Sequence, residues 1–234
     1  MSFSWTEMLG HMGLPAVLVA VVLALMGMST IAVFIERLVT FRRSRAVSRT
    51  FAAKVDTDMS AGRFEAVLAQ AEQDAKYGHL PRIVRAALST YTHALKTVDV
   101  SGLSPVERTQ RHMARYIEDV GADLRRGLNV LSSVGSVAPF VGLLGTVLGI
   151  ISAFQGIAAA GSGGLGAVSA GISEALIETA FGLAVAIPSV LAFNVLTSQI
   201  VRDEMTLNNA TGELLDLIED LDERRAQARK VSKA

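Results

Sequence analysis

Apolar residues in this chain come in three long blocks separated by polar stretches with helical spacing. Leu14 to Phe34 is aliphatic apart from Gly27, Ser29 and Thr30, and Leu131 to Ile157 and Ile172 to about Leu196 repeat the pattern. About 20 consecutive apolar residues suffice to cross a bilayer as a helix, so each block predicts a transmembrane helix. We place the spans at 14–36, 131–157 and 172–197. Between the first two, residues 37–130 predict a water-facing helical region. Ser60 is a candidate cap for a helix through Gln70, Pro81 suits a first helical turn, and Ala86 to Leu88 continue that segment. Ser104, Pro105 and Glu107 form a capping-box pattern, the clearest helix start in the chain.

From that start Val106, Met113, Ile117, Val120, Leu124 and Leu128 recur at spacings of three, four and seven, one apolar stripe on a charged helix. No proline interrupts before Pro139, so the pattern predicts one helix of roughly fifty residues running into the second span, of order 75 Å long. Residues 158–171 are Gly, Ala and Ser with no charge and predict a hairpin loop. After the third span Ile200, Leu207, Leu214, Leu217, Ile218 and Leu221 keep helical spacing, so 198–234 predict a long polar helix whose last ten or so residues fray. The fold class is therefore an all-α membrane protein with three transmembrane helices, the second and third extended into the cytoplasm.

Charge orients this topology. Lys plus Arg number 22, as do Asp plus Glu, and the sum is less informative than the placement. Arg42, Arg43, Arg45 and Arg49 follow the first span and Arg202, Arg224, Arg225, Arg229, Lys230 and Lys233 follow the third, whereas 1–13 and 158–171 hold no Lys or Arg. The positive-inside rule then puts the amino terminus outside and the carboxyl terminus in the cytoplasm. The absence of a basic segment before the first span argues against a cleaved signal peptide. No basic stripe with interleaved aromatics suggests nucleic acid, and the absence of cysteine excludes disulfides, thiolate metal sites and a Cys nucleophile. His11, His79, His93 and His112 have no carboxylate at ligand spacing, so no metal site is assigned. The glycines of GLLGTVLG lie in an apolar helix with no following Lys, which disfavours a phosphate-binding loop and nucleotide hydrolysis. These are not the marks of an enzyme.

Candidate chemistry concentrates at the start of the third span. Carboxylates in a hydrophobic span are costly and normally face a bundle interior or water. Glu174 and Glu178 are four residues apart, hence on one helix face, with Thr179 adjacent. Their mutual repulsion, if both ionise, favours a shared or relayed proton. Glu174, only a few residues into the span, could instead sit hydrated at headgroup depth. In the second span Gly142, Gly145 and Gly149 permit close helix approach, with Gly145 and Gly149 a small-xxx-small pair. Thr146 supplies a hydroxyl, and Pro139 predicts a kink, as Pro188 interrupts the donors of the third span.

The stretches APFVGLLGTVLGIISAF at Ala138–Phe154 and GISEALIETAFGLAVAIPSVLAFN at Gly171–Asn194 resemble the MotA/TolQ/ExbB proton-channel family, specifically its three-span TolQ/ExbB branch. The resemblance implies a bacterial inner-membrane protein that assembles as a homo-oligomeric ring of five around the transmembrane helices of two single-span ExbD/TolR-like partners. Thr146, Glu174 and Thr179 match the family's proton-pathway positions, while a partner aspartate carries the proton. Inward proton flow would drive mechanical work across the envelope, whether import, envelope maintenance or gliding, in contact with a further envelope complex. No cofactor is implied, and protons are favoured over sodium for want of further oxygen ligands. Glu178, included in the candidate pore lining, stands where the family has a small or apolar residue. Two other classes remain open: a passive membrane scaffold, and a stand-alone ion channel.

Overall fold

The computed structural model describes residues 14–97, 102–160 and 165–231, and every regular element among them is an α-helix. In chain order these are α1 (Leu14–Ser60), α2 (Phe64–Asp74), α3 (His79–Lys96), α4 (Pro105–Arg125), α5 (Leu128–Ala160) and α6 (Leu165–Val231). Stretches of α1, α5 and α6 are long and apolar enough to cross a membrane.

Local chemistry sets the boundaries, and several differ from the sequence pattern. The apolar stripe of α4 was expected to continue unbroken into the second span, but α4 stops at Arg125 after 21 residues. Gly127 has φ +82, the left-handed conformation that ends many helices and that glycine adopts without steric cost. The second span is therefore a separate helix of 33 residues, and the expected rod is absent. Hydrophobic spacing could not reveal this, because Leu124 and Leu128 keep the stripe in register across the turn. The expected polar continuation of the third span is present in α6, at 67 residues, and the other belongs to α1, at 47, rather than to the second span.

Ser60 does not cap α2. It closes α1, its hydroxyl donating to the Asp56 carbonyl at 2.9 Å, and the chain turns at Gly62, φ +68, before Arg63 takes the N-cap position of α2. Around the hairpin, helix covers residues up to Ala160 and from Leu165, so much of the expected loop is helical; 161–164 lie outside the described residues. The expected fraying of the last ten residues is not seen up to Val231, a stretch rich in the helix formers Glu, Arg, Ala and Gln. The expected capping box is present: Ser104 Oγ accepts from the Glu107 N–H at 3.1 Å, and the Ser104 N–H donates to Glu107 Oε2 at 2.9 Å. Those hydrogen bonds hold the Glu107 carboxyl below its usual range.

The chain divides into two compact units, Met1–Arg37 with Gly127–Thr197, and Leu38–Arg126 with Ser198–Ala234. In the first, Val19 and Leu23 of α1 pack with Val134 and Ala138 of α5 and with Val185 and Ala186 of α6. Thr30 and Ser189, both buried, share a hydrogen bond of 2.8 Å. Ser189 Oγ also lies 2.8 Å from the Val185 carbonyl; with Ser189 donating there, Thr30 donates to Ser189 and neither hydroxyl is wasted. The opposite faces are greasy: Leu14, Leu18, Val21, Leu25, Met28, Ile31 and Ile35 of α1 are all exposed. Such a continuous apolar stripe at helical spacing suits lipid or another protein rather than water.

The second unit has an aromatic and aliphatic core. Phe41, Phe51, Ile83, Leu88, Tyr91, Met113, Leu124, Ile200 and Ile218 are fully buried, and Phe64 meets Tyr91 edge-on with ring centroids 5.8 Å apart. Gly78 at the N-cap of α3 has no side chain to offer, so α1 supplies the cap: Ser44 Oγ accepts from the His79 N–H at 3.1 Å and Ser48 Oγ from the Leu80 N–H at 3.3 Å. Arg45 grips Asp203 through Nε at 2.8 and 3.2 Å, and Arg125 pairs with Glu204 at 2.7 Å. The Tyr91 hydroxyl donates to Asp222 Oδ1 at 2.6 Å, and burial, followed by that bond, raises the phenol to about 12.

Because the neutral phenol is the form the fold favours, its contribution to stability is complete below about pH 10 and is lost as pH rises towards about 12. Tyr91→Phe is expected to cost about 1–2 kcal/mol near neutral pH and to flatten this alkaline loss. Denaturant unfolding of the solubilised chain, followed by circular dichroism at neutral and alkaline pH, checks both effects.

Candidate functional site

In the first unit α5 and α6 are held together by a seam of small residues. A Cβ placed on Gly142 would lie 2.8 Å from the Glu178 carbonyl oxygen and 3.1 Å from the Gly182 Cα. One placed on Gly182 would lie 2.7 Å from the Ala138 carbonyl oxygen. Toward one end Gly135 faces Val190, and toward the other Gly149 faces Ala175 and Gly171 faces Ala153. Side chains at these positions would force the backbones apart, so glycine sets the helix spacing. Gly142, Gly145 and Gly149 stand out in the sequence. Gly182 and Ala175 do not until they are seen to share a face with Gly171 and Ala186.

Close approach brings Thr146 and Thr179 into direct hydroxyl contact. Thr146 Oγ1 also lies 3.0 Å from the Ala175 carbonyl across the seam and 3.3 Å from the Gly142 carbonyl of its own helix. Thr179 Oγ1 lies 3.3 Å from that same Gly142 oxygen. Two hydroxyl hydrogens thus face two carbonyls and one another. If Thr146 donates to Ala175, Thr179 can donate to Thr146; if Thr179 donates to Gly142, Thr146 can donate to Thr179. This is a small, half-buried network with alternative proton orders in an apolar helix pair.

Both glutamates lie on the described part of α6, one turn apart, but in different settings. Glu174 is half-buried, whereas Glu178 is 2% exposed and its carboxyl is packed over Gly145 of α5. Glu178 packs over Gly145 of α5 and Thr179 meets Thr146 of α5, while Glu174 lies one turn earlier on α6. Pro139 and Pro188 lie within continuous α5 and α6, each removing one backbone donor from its helix. The Thr30 and Ser189 pair, another buried polar bridge of this unit, gave no sequence signal beyond two hydroxyls in apolar runs.

Among the described residues no group of three or more His, Cys, Asp or Glu is placed to hold a metal ion. His79 is bonded to Ser44 at the start of α3, and His11 lies outside the described residues.

The sequence model of the MotA/TolQ/ExbB proton channel family matches residues 76–209, more than half of the chain and a stretch that contains Thr146, Glu174 and Thr179. The chain belongs to this family. Among relatives, the "Biopolymer transport protein ExbB" of Xanthomonas campestris pv. campestris is 36% identical over 196 residues, 81% of this chain and 76% of that protein. The protein of the same name from Pseudomonas putida is 32% identical over 141 residues, covering 60% of this chain and 42% of the relative. That of Salmonella typhimurium is 34% identical over 109 residues, 47% of this chain and 45% of the relative. The chain thus spans less than half the length of the last two relatives. Membership of a membrane-protein family together with three apolar helices makes it a multi-pass membrane protein.

The seam gives a direct expectation. Gly142→Ala overpacks the α5 and α6 contact and is expected to destabilise the protein by about 1–3 kcal/mol, whereas Gly156→Ala, with open space around its Cβ, is expected to be neutral or mildly stabilising. Thermal unfolding of both variants in the same detergent distinguishes them.

Proposed function

We propose that the chain is the ring subunit of a proton-driven inner-membrane motor, with Thr146, Glu174 and Thr179 lining the proton pathway and Glu178 attached to it. The observation that carries this reading is the Thr146 and Thr179 contact beside the two glutamates, in a proton-channel family and in an otherwise uncharged stretch of the spans. Five copies would surround the transmembrane helices of two single-span partners of the ExbD/TolR type, the exposed apolar stripes of the spans meeting lipid and neighbouring copies. The partner's membrane aspartate would hand protons past the threonines. The basic residues following the first and third spans support an amino terminus in the periplasm and a carboxyl terminus in the cytoplasm.

The energetics suffice. One charge crossing 100 mV releases about 2.3 kcal/mol, so several protons per step can drive a mechanical change in the partner. Protons rather than sodium fit the site, because a sodium ion needs several oxygen ligands and the threonine oxygens are already engaged with each other and with carbonyls. Envelope import, maintenance or gliding are tasks such a motor could serve, through a further envelope complex. A partner isolated with the chain in mild detergent would name which.

Glu174→Ala and Thr179→Val are each expected to abolish driven work while the subunit still assembles, measured as uncoupler-sensitive activity beside size-exclusion profiles of the complex. Full activity in both variants removes the mechanism. Activity indifferent to uncouplers would favour a passive scaffold, and ion flux without any partner a stand-alone channel.

A further inference from the structure

Among the described residues, Glu178 is the one buried acidic or basic residue. It is 2% exposed, and neither carboxyl oxygen has a hydrogen-bond partner among the described residues. Its place is shaped for it: a Cβ added to Gly145 would lie 2.7 Å from the Glu178 Cδ and 3.0 Å from its Cβ, so any other residue at 145 would occupy the space of the carboxyl group. Gly145 and Gly149 look alike in sequence, yet they do different things, since Gly149 admits Ala175 and Gly145 admits a carboxyl.

No cation balances a charge there. α5 has no ionisable residue over its whole length, and α1 has none from Leu14 to Ile35. The described part of this unit holds only four ionisable side chains: Glu36, Arg37, Glu174 and Glu178. Arg37, at the far end of the span, donates to Glu36 at 2.7 Å. From α5 the groups packed on Glu178 are Gly142 and Gly145, and on its own helix the neighbouring acid is Glu174, one turn earlier. An ion stripped of water with no counter-charge and no donors is far costlier than a neutral acid, and a metal cation would lack the remaining oxygens of its shell.

We propose that Glu178 is a proton-binding site in its own right, a neutral glutamic acid seated over Gly145, which exchanges its proton with Glu174. The exchange rests on the proton-pathway reading above; the seat does not. In the exchange the O–H bond of Glu178 breaks and one forms on the Glu174 carboxylate, so the pair keeps one proton and one negative charge throughout. Because the seat does not tolerate an anion, giving up the proton requires the Glu178 side chain to leave Gly145. Proton transfer is thereby tied to the packing of α5 against α6.

Infrared difference spectroscopy on the complex in lipid vesicles tests this. Wild type minus Glu178→Gln at neutral pH is expected to contain the carbonyl band of a protonated carboxylic acid, and a difference holding only carboxylate bands overturns the proposal. Gly145→Ala is expected to lose that band and Gly156→Ala to keep it; persistence in Gly145→Ala removes the seat. If Gly145→Ala does not assemble, the Glu178→Gln comparison still decides. In heavy water the band should shift more slowly in Glu174→Ala than in wild type, and an unchanged rate removes the exchange. Should Glu174→Ala and Thr179→Val both retain full driven work, the motor reading fails while the band at Glu178 is still expected.

Discussion

In an apolar helix pair a polar group can be satisfied only from within, and that constraint shapes the first unit. Water is not at hand to repair a stranded hydroxyl, so each must find a carbonyl or another hydroxyl on a helix close enough to offer one. Glycine makes that closeness attainable. With Gly142 against Gly182, the backbones of α5 and α6 approach until Thr146 reaches the Ala175 carbonyl and Thr179 reaches that of Gly142. Thr30 and Ser189 solve the same problem between α1 and α6. Individual hydrogen bonds of this kind contribute little, about 0.6 kcal/mol on average in membranes, so their value lies in fixing geometry. Among the described residues of this unit, Glu178 and Thr197 carry buried oxygens that the rule leaves over.

The two units obey different solvents. One keeps nearly all its charges out and turns apolar side chains outward; the other buries aromatic and aliphatic side chains and ties its helices with ion pairs such as Arg45 with Asp203 and Arg125 with Glu204. Half-exposed pairs of this sort contribute modestly, at most about 1 kcal/mol each. Their cross-helix geometry matters more for register than for stability. The serines that α1 lends to the start of α3 do the same work for a helix whose own cap position is glycine.

Helix existence and the apolar spans were legible because period and length report burial directly. Boundaries were less so. Gly127 looks like any glycine in a helical pattern until its positive φ is seen, and the stripe from Val106 to Leu128 hides the break because a turn can preserve the facing of its flanking residues. Ser60 reads equally well as an N-cap or as a last-turn hydroxyl bonding back to Asp56, and only the backbone decides. At the site, the threonines and glutamates were visible as polar residues in apolar runs, but their pairing was not. Helical spacing placed Glu178 one turn from Glu174, but the seat that buries its carboxyl is built by Gly145, 33 positions earlier on another helix. Facing relations between two spans depend on their rotation, which no single span encodes.

The central claim is that the threonine pair between α5 and α6 belongs to a proton path. Vesicles containing the chain with its co-purified partner, energised by a potassium diffusion potential and loaded with a pH-sensitive dye, test it most directly. The account predicts internal acidification in the wild type and none above the protein-free leak in Thr146→Val. Equal acidification in the two would contradict it.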